Sequence, residues 1–377
     1  MMALEFVKGL EGVPIAESGV SFVDGQNGRL EYRGISVEDL AENSTFEETS
    51  FLLLYGRLPG GQELRDFKDG ITQYRRLKYR IVDLIKCLPE TGHPMDALQA
   101  AVAAIGMFYP SRHVVSDETN RAACLRLIAK VPTVVAAFER LRRGDDHIKP
   151  RTDLSLAGNF LYMMNGEEPD PEHERILDIA LILHADHTMN ASTFSGRVVG
   201  STLADPYCVV SSALGALSGP LHGGANEQAM DLFAKIGKPE RAKPMIEEMI
   251  ANKEKIPGYG HRVYKTMDPR AKILKKYAEK LATRTSNPLF EIAQEVERTA
   301  TNHFGEKGIW PNVDFYSGIV YDELGISVDC YTPVFAIARV SGWLAHWLEQ
   351  LEGNRIFRPT QIYNGEHNVD YKQVGQR

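Results

Sequence analysis

Cysteine is scarce in this chain, and no two cysteines are spaced to share a metal. Cys87, Cys124, Cys208 and Cys330 are scattered over 377 residues without a CxxC pair. That excludes a disulfide scaffold and the common zinc modules, and leaves each thiol as a small apolar side chain. A basic excess is also missing. The formal net charge is −7, which argues against general nucleic-acid binding but leaves room for a local basic pocket that takes an acidic metabolite. No apolar run is long enough to cross a bilayer. The stretch MMALEFVKGLEG has neither the basic nor the apolar region of a signal peptide. These absences point to a reducing cytoplasm, with no membrane and no nucleic acid as partner. Strands alternating with helices are missing too, so a parallel α/β sheet is not expected.

What is present suits an ordinary globular protein of about two domains, with 43% apolar and 25% charged residues. Residues 20–33 predict one hairpin: two alternating segments, Val20–Val23 and Arg29–Tyr32, joined by the turn Asp24–Gly28. Helical punctuation follows. Ser36 caps a short helix through Glu42. Thr45 and Glu48 form a capping box ahead of Phe46–Tyr55, and Gly56 stops that helix. Further helices are expected over Gln62–Lys78, Met95–Phe108, Asp117–Arg142, Leu154–Met164, Glu172–His184 and from Pro206 through Leu217. From Asn226 the texture becomes more charged, with helices over Asn226–Ile236, Pro239–Ala251, Pro269–Thr283 and Pro288–Phe304. An apolar helix, Val334–Leu351, precedes a polar, extended tail. The expectation is an all-α fold with a minor N-terminal hairpin. Residues 1–225 begin a large domain, 226–324 form a small mobile one, and 325–377 return to the large one.

Chemistry-bearing groups concentrate in a few stretches. In Ile256–Ala271, Pro257-Gly258-Tyr259-Gly260 delivers His261, followed by Arg262, Lys265, Arg270 and Lys272. A loop histidine ringed by cations suits a small anion whose carbonyl needs polarising. His222 is crowded by glycines in Gly219–Asn226, so a bulky ligand can reach its ring. Asp314 stands between apolar neighbours, where a carboxylate becomes a better base. Arg339 interrupts an apolar helix and needs an anion. Arg355 and Arg358 follow in the tail. His184 and His187, three apart, could join His222 around a metal, or cap a helix end; the HExxH spacing of zinc hydrolases is absent. The inventory suits removal of a weakly acidic carbon proton and addition of the resulting enolate to a carbonyl on a charged anion.

Three of these motifs, GPLHGGAN (219–226), PGYGHRVYKTMDPRA (257–271) and PNVDFYSG (311–318), resemble those of the citrate synthase family, in its order and approximate spacing. The N-terminal region resembles the family's short prokaryotic form. The resemblance implies a two-domain helical fold, a homodimer, and a cleft joining acetyl-CoA to oxaloacetate. The CoA thioester is then a substrate, and no separate cofactor or metal is implied. Asp314 would be the base, His222 the partner of the thioester oxygen, and His261 the group that polarises the ketone. His187, Arg270, Arg339 and Arg358 would bind oxaloacetate, the last from the partner subunit. Coenzyme A would lie against Ile256, Gly258, Gly260 and Asn312, with Arg262 and Lys265 near its phosphates. A 2-methylcitrate synthase using propionyl-CoA is the nearest alternative, since one methylene is worth only about 1–3 kcal/mol in a pocket. A metal-dependent hydrolase and a non-catalytic acyl-CoA-binding protein are the readings from other classes.

Overall fold

Helix starts in this chain fall where a short polar side chain can take a free backbone N–H. Ser36 accepts from Asp39 N ahead of α1 (Val37–Asn43), and Thr45 accepts from Glu48 N ahead of α2 (Phe46–Tyr55). The expected capping box closes only halfway, because the Glu48 carboxylate takes the Ser44 hydroxyl instead. Gly56 ends α2 in the left-handed conformation. A computed structural model describes residues 6–109, 116–285 and 287–377. The helices after α2 are α3 (Gly61–Tyr74), α4 (Tyr79–Lys86), α5 (Pro94–Gly106), α6 (Asp117–Arg142), α7 (Leu156–Asn165), α8 (Pro171–His184), α9 (Ala191–Ser201) and α10 (Pro206–Leu217). Then come α11 (Ala225–Ile236), α12 (Pro239–Ala251), α13 (Pro269–Ala282), α14 (Leu289–Phe304), α15 (Val313–Glu323) and α16 (Tyr331–Glu352). The fold is all-α apart from one small sheet. No described helix is long and apolar enough to cross a membrane.

Several elements differ from expectation. The helix predicted over 62–78 stops at Tyr74, where the Arg75 side chain turns inward to the carbonyls of Arg151 and Leu154. Three helices were not anticipated, α4, α9 and α15. The α9 sequence, ASTFSGRVVGS, is rich in poor helix formers. Packing against α10 and α16 holds it helical, and Gly200 is needed there because a Cβ would lie 2.7 Å from the Trp347 ring. The predicted hairpin forms as β1 (Ser21–Asp24) against β2 (Arg29–Tyr32), paired Ser21 with Tyr32 and Asp24 with Arg29. A two-residue strand, β3 (Ile35–Ser36), extends the sheet.

Helix α16 is the centre of the core. It buries Trp343 and Trp347 and packs against α2, α6, α8, α9 and α10. Helices α11 to α15 pack chiefly on one another, with α8 and α1 meeting α13. The chain after Glu352 is extended and largely exposed, as the polar tail predicts.

Candidate active site

Two buried arginines define the site. Asp268 caps α13 at its own N-terminus, and Pro269 at the first helical position brings Arg270 back over it. Arg270 donates from Nε to Asp268 Oδ1 at 3.0 Å and from Nη2 to Oδ2 at 2.8 Å. Both residues are almost wholly buried. Arg270 therefore already has a carboxylate partner. Burial pulls its guanidinium toward neutrality, and the Asp268 carboxylate more than offsets that, so Arg270 stays charged. Arg339, on α16, has no such partner. Its Nε donates to the His184 carbonyl at 2.7 Å, and its guanidinium carbon lies 4.5 Å from the Phe335 ring centre. Burial pulls its pKa down to about 10, with Asp186 the main opposing charge. Among the described residues no carboxylate forms an ion pair with it, so a bound anion would be its natural counter-charge.

The three predicted histidines and the aspartate lie around these two cations. His261 follows the loop Pro257–Gly260. Its Nδ1 accepts the backbone N–H groups of Val263 at 3.0 Å and Tyr264 at 3.2 Å. A backbone N–H can only donate, so the ring is neutral with its proton on Nε2. Burial first, then Arg270, pushes its pKa down to about 4. His222 is fixed in the same manner. Ser192 N donates to its Nε2 at 3.3 Å and the Ser192 hydroxyl lies 2.8 Å away, itself receiving Trp343 Nε1 at 3.1 Å. The proton is therefore on Nδ1. Burial and then Arg339 push its pKa down to about 4. At neutral pH both rings are uncharged hydrogen-bond donors.

His187 is buried, its ring centre 5.1 Å from that of His261 and its Nε2 3.2 Å from the Tyr264 hydroxyl. Burial, then Arg270, His261 and Arg339, hold its pKa well below the usual value. Asp314 sits in the first turn of α15. The cap is Asn312, whose Oδ1 accepts Asp314 N at 2.9 Å, so the aspartate carboxylate is not used as a cap. Burial raises the Asp314 pKa to about 6, against the pull of Arg270 and Arg339. The electrostatics order the site. His261 feels Arg270, His222 feels Arg339, and His187 and Asp314 feel both.

The predicted CoA segment is a tight loop. Gly258 and Gly260 have φ of +76° and +82°. A Cβ on Gly258 would lie 2.9 Å from Phe315 Cα. The loop is stitched to the segment before α15: Asn312 N donates to Gly258 O at 2.8 Å, Gly260 N to Trp310 O at 2.9 Å, and Asn312 Nδ2 to Gly260 O at 2.9 Å. Asn312 therefore spends its side chain inside the protein. Ile256 is buried, whereas Arg262 and Lys265 point to solvent and form no ion pair among the described residues. Gly258→Ala should lower stability by about 1–2 kcal/mol from the left-handed backbone alone, with about 1–3 kcal/mol more from overpacking against Phe315. Thermal melting of that variant, with Gly12→Ala in the open N-terminal turn as reference, checks this.

Two expected residues fall elsewhere. His184 is buried, with Nδ1 on the Ala180 carbonyl at 2.7 Å and its ring against Phe335. It does not face His187 or His222, and the three do not form a set of converging ligand atoms among the described residues. Arg358 is exposed and donates to the Pro359 carbonyl at 3.0 Å, and among the described residues no hydrogen bond or ion pair joins it to the site. Sequence reasoning missed Ser192, Tyr264 and the pairing role of Asp268. Asp268 had a signal, the Asp-Pro-Arg order at a helix start. Ser192 and Tyr264 had none, because each acts on a ring distant in sequence.

Comparison with known proteins places the chain in a family. Residues 9–360 match the protein family described as "Citrate synthase, C-terminal domain". A citrate synthase from Synechocystis sp. is 54% identical over 99% of this chain and 94% of its own length. The crystal structure of citrate synthase from Pyrobaculum aerophilum superposes with a TM-score of 0.92 at 44% identity, covering 99% of this chain and 95% of that one. A ternary complex of carboxymethyl coenzyme A and oxaloacetate with citrate synthase from Thermoplasma acidophilum gives a TM-score of 0.95 at 37% identity, covering 99% and 100%. With the match spanning most of its length and with relatives this similar, the chain belongs to the citrate synthase family.

Proposed function

We propose that the chain condenses acetyl-CoA with oxaloacetate and hydrolyses the resulting thioester to citrate and CoA. The observation that carries this reading is Asp314, a half-buried carboxylate raised toward neutrality and within electrostatic reach of the same two buried arginines that bear on the neutral His222 and His261. The Asp314 carboxylate takes a proton from the thioester methyl group. His222 donates its Nδ1–H to the thioester oxygen as negative charge develops there. The new carbon nucleophile attacks the ketone, whose oxygen is polarised by His261 Nε2–H and then receives that proton. Arg270, Arg339 and His187 hold the carboxylates, each charge-assisted hydrogen bond contributing about 1.5–3 kcal/mol. Water then cleaves the thioester.

Residues 226–324 act as the mobile domain in this reading, closing on residues 1–225 and 325–377. The protein works as a cytoplasmic homodimer in which Arg358 reaches the partner's site. Coenzyme A lies along Ile256, Gly258, Gly260 and Asn312 and uses Arg262 and Lys265 for its phosphates. The deciding experiment is steady-state kcat/KM with acetyl-CoA and with propionyl-CoA. The reading expects acetyl-CoA to be preferred by at least about tenfold, the scale set by one methylene. A preference of that size for propionyl-CoA would replace it with 2-methylcitrate synthesis.

A further inference from the structure

The hairpin β1–β2 touches both histidine loops, which are far apart in sequence. At its base, Ser21 donates its hydroxyl to Asp186 Oδ2 and accepts Thr188 N at 3.1 Å. The Tyr32 hydroxyl meets the carbonyls of Ile182 and Asp186 at 3.1 and 3.0 Å. These bonds flank His187 on both sides. At its tip, Gly25 O accepts Lys265 N at 2.8 Å, just past His261. The fit there is close. A Cβ on Gly25 would stand 2.1 Å from the Val263 carbonyl oxygen, and one on Gly28 2.8 Å from Thr266 Cγ2.

A second observation marks the base as strained. Thr188, directly after His187, has φ of +52°. That conformation is costly for a β-branched residue and persists only where its surroundings impose it. Here Ser21 Oγ and Asp186 Oδ2 both receive the Thr188 N–H. The Asp186 carboxylate is in turn wedged against α16. Gly342 makes the room, because a Cβ there would stand 2.5 Å from Asp186 Oδ1. His346 Nε2 lies 3.3 Å from Oδ2. Arg339, Gly342 and His346 follow each other at i, i+3 and i+7, so one stripe of α16 carries both the free arginine and the seat of Asp186.

We propose that the hairpin is a strap that sets the spacing of the two oxaloacetate histidines, with Ser21 and Gly25 as its positioning residues. Ser21 pins the His187 turn in its strained form, and Gly25 docks the His261 loop against the same rigid hairpin. Neither residue touches the reacting atoms. This proposal rests on the assignment of His187 and His261 to oxaloacetate.

Gly25 gives a clean probe, because its φ is not in the left-handed region. An alanine there suits the hairpin itself and collides only with Val263. Ser21→Ala, which frees the His187 turn, should raise KM for oxaloacetate about tenfold or more with kcat held within about threefold, whereas Gly25→Ala, which displaces the His261 loop, should raise KM and also lower kcat, since a displacement of an ångström in a positioned group costs up to about a hundredfold. The exposed tip variant Gln26→Ala should leave both unchanged. Amide hydrogen exchange supplies a readout that does not need turnover. In Gly25→Ala the Lys265 amide should exchange at least about tenfold faster, while the β1–β2 ladder keeps its protection. An unchanged Lys265 amide, or an unchanged KM, would overturn the strap. So would a fall in kcat in Ser21→Ala as large as its rise in KM, which would mark the hairpin as merely structural. Should the wild-type protein fail to turn over oxaloacetate, the functional assignment fails, and the exchange experiment still decides whether the hairpin holds the loop.

Discussion

Asp314→Asn should lower kcat by about 10²–10⁴-fold, the usual contribution of a positioned general base, while oxaloacetate binding stays within about threefold by calorimetry, since each lost charge-assisted bond would cost far more. The amide keeps the shape of the side chain and loses only the basic lone pair. The arginines that would hold the substrate are untouched, and Arg270 keeps its Asp268 partner. The same group predicts a pH dependence. In the proposed mechanism turnover needs the carboxylate, whose pKa is raised to about 6 by burial. The kcat/KM profile should therefore fall as pH drops through about 6. In Asp314→Asn that limb should vanish. The histidines cannot supply it, because both sit near 4.

Stability should move the opposite way. An unfolded aspartate titrates near about 3.9, so the folded value is the higher one and the folded protein binds the extra proton between the two. The stabilising contribution of the protonated group is present below about pH 4 and lost as pH rises through about 6. At pH 7.5 the wild-type protein carries a half-buried, partly desolvated carboxylate that costs stability, and Asp314→Asn should melt at a higher temperature than wild type. Below pH 4 the difference should shrink. Lower melting of the variant at pH 7.5 would contradict the burial argument, whatever the kinetics.

How far the sequence revealed all this varies with the range of the interaction. Helix starts were legible because Ser36, Ser116, Asp170, Asp205 and Asp268 bond to N–H groups two or three residues on. The catalytic candidates were legible because glycine crowds His222 and His261, and apolar residues flank Asp314. Long-range contacts were not legible. Ser192 acts on a ring 30 residues away, and Ser21 on a carboxylate 165 residues away. Helix α9 was missed because its glycines and hydroxyl residues read as loop, although Gly200 is there to admit Trp347. The Arg270 ion pair was not legible, because helical spacing puts partners a turn away. Asp268 lies two residues earlier, and the proline between them folds the cap onto the guanidinium. Arg339, by contrast, has no carboxylate in an ion pair with it among the described residues.

A 1:1 mixture of Arg358→Ala and His261→Ala subunits should recover about a quarter of wild-type active sites once heterodimers form, by the arithmetic of a two-fold interface. Each variant alone should be poor. Loss of the His261 donor removes about 10²–10³ in kcat, as for other single donors to a developing oxyanion. Loss of Arg358 weakens oxaloacetate by about 1.5–3 kcal/mol, or roughly ten- to a hundred-and-fifty-fold. In a heterodimer with crossed arginines, the site built on the Arg358→Ala subunit has its own His261 and receives a wild-type arginine from its partner. The other site carries both lesions. Half of the dimers are heterodimers, so one site in four is complete. If Arg358 served its own subunit, every site in the mixture would carry one lesion and nothing would return. Within one chain, Arg358 is exposed and bonds only to the neighbouring Pro359 carbonyl. The tail that bears it exposes Ile356, Ile362 and Tyr363 to solvent. Under the proposed homodimer, an arginine with no ion pair among the described residues, on an extended segment with exposed apolar side chains, is free to reach a partner's site. No recovery in the mixture, with heterodimers verified by native mass spectrometry, would place the third carboxylate ligand elsewhere in the chain.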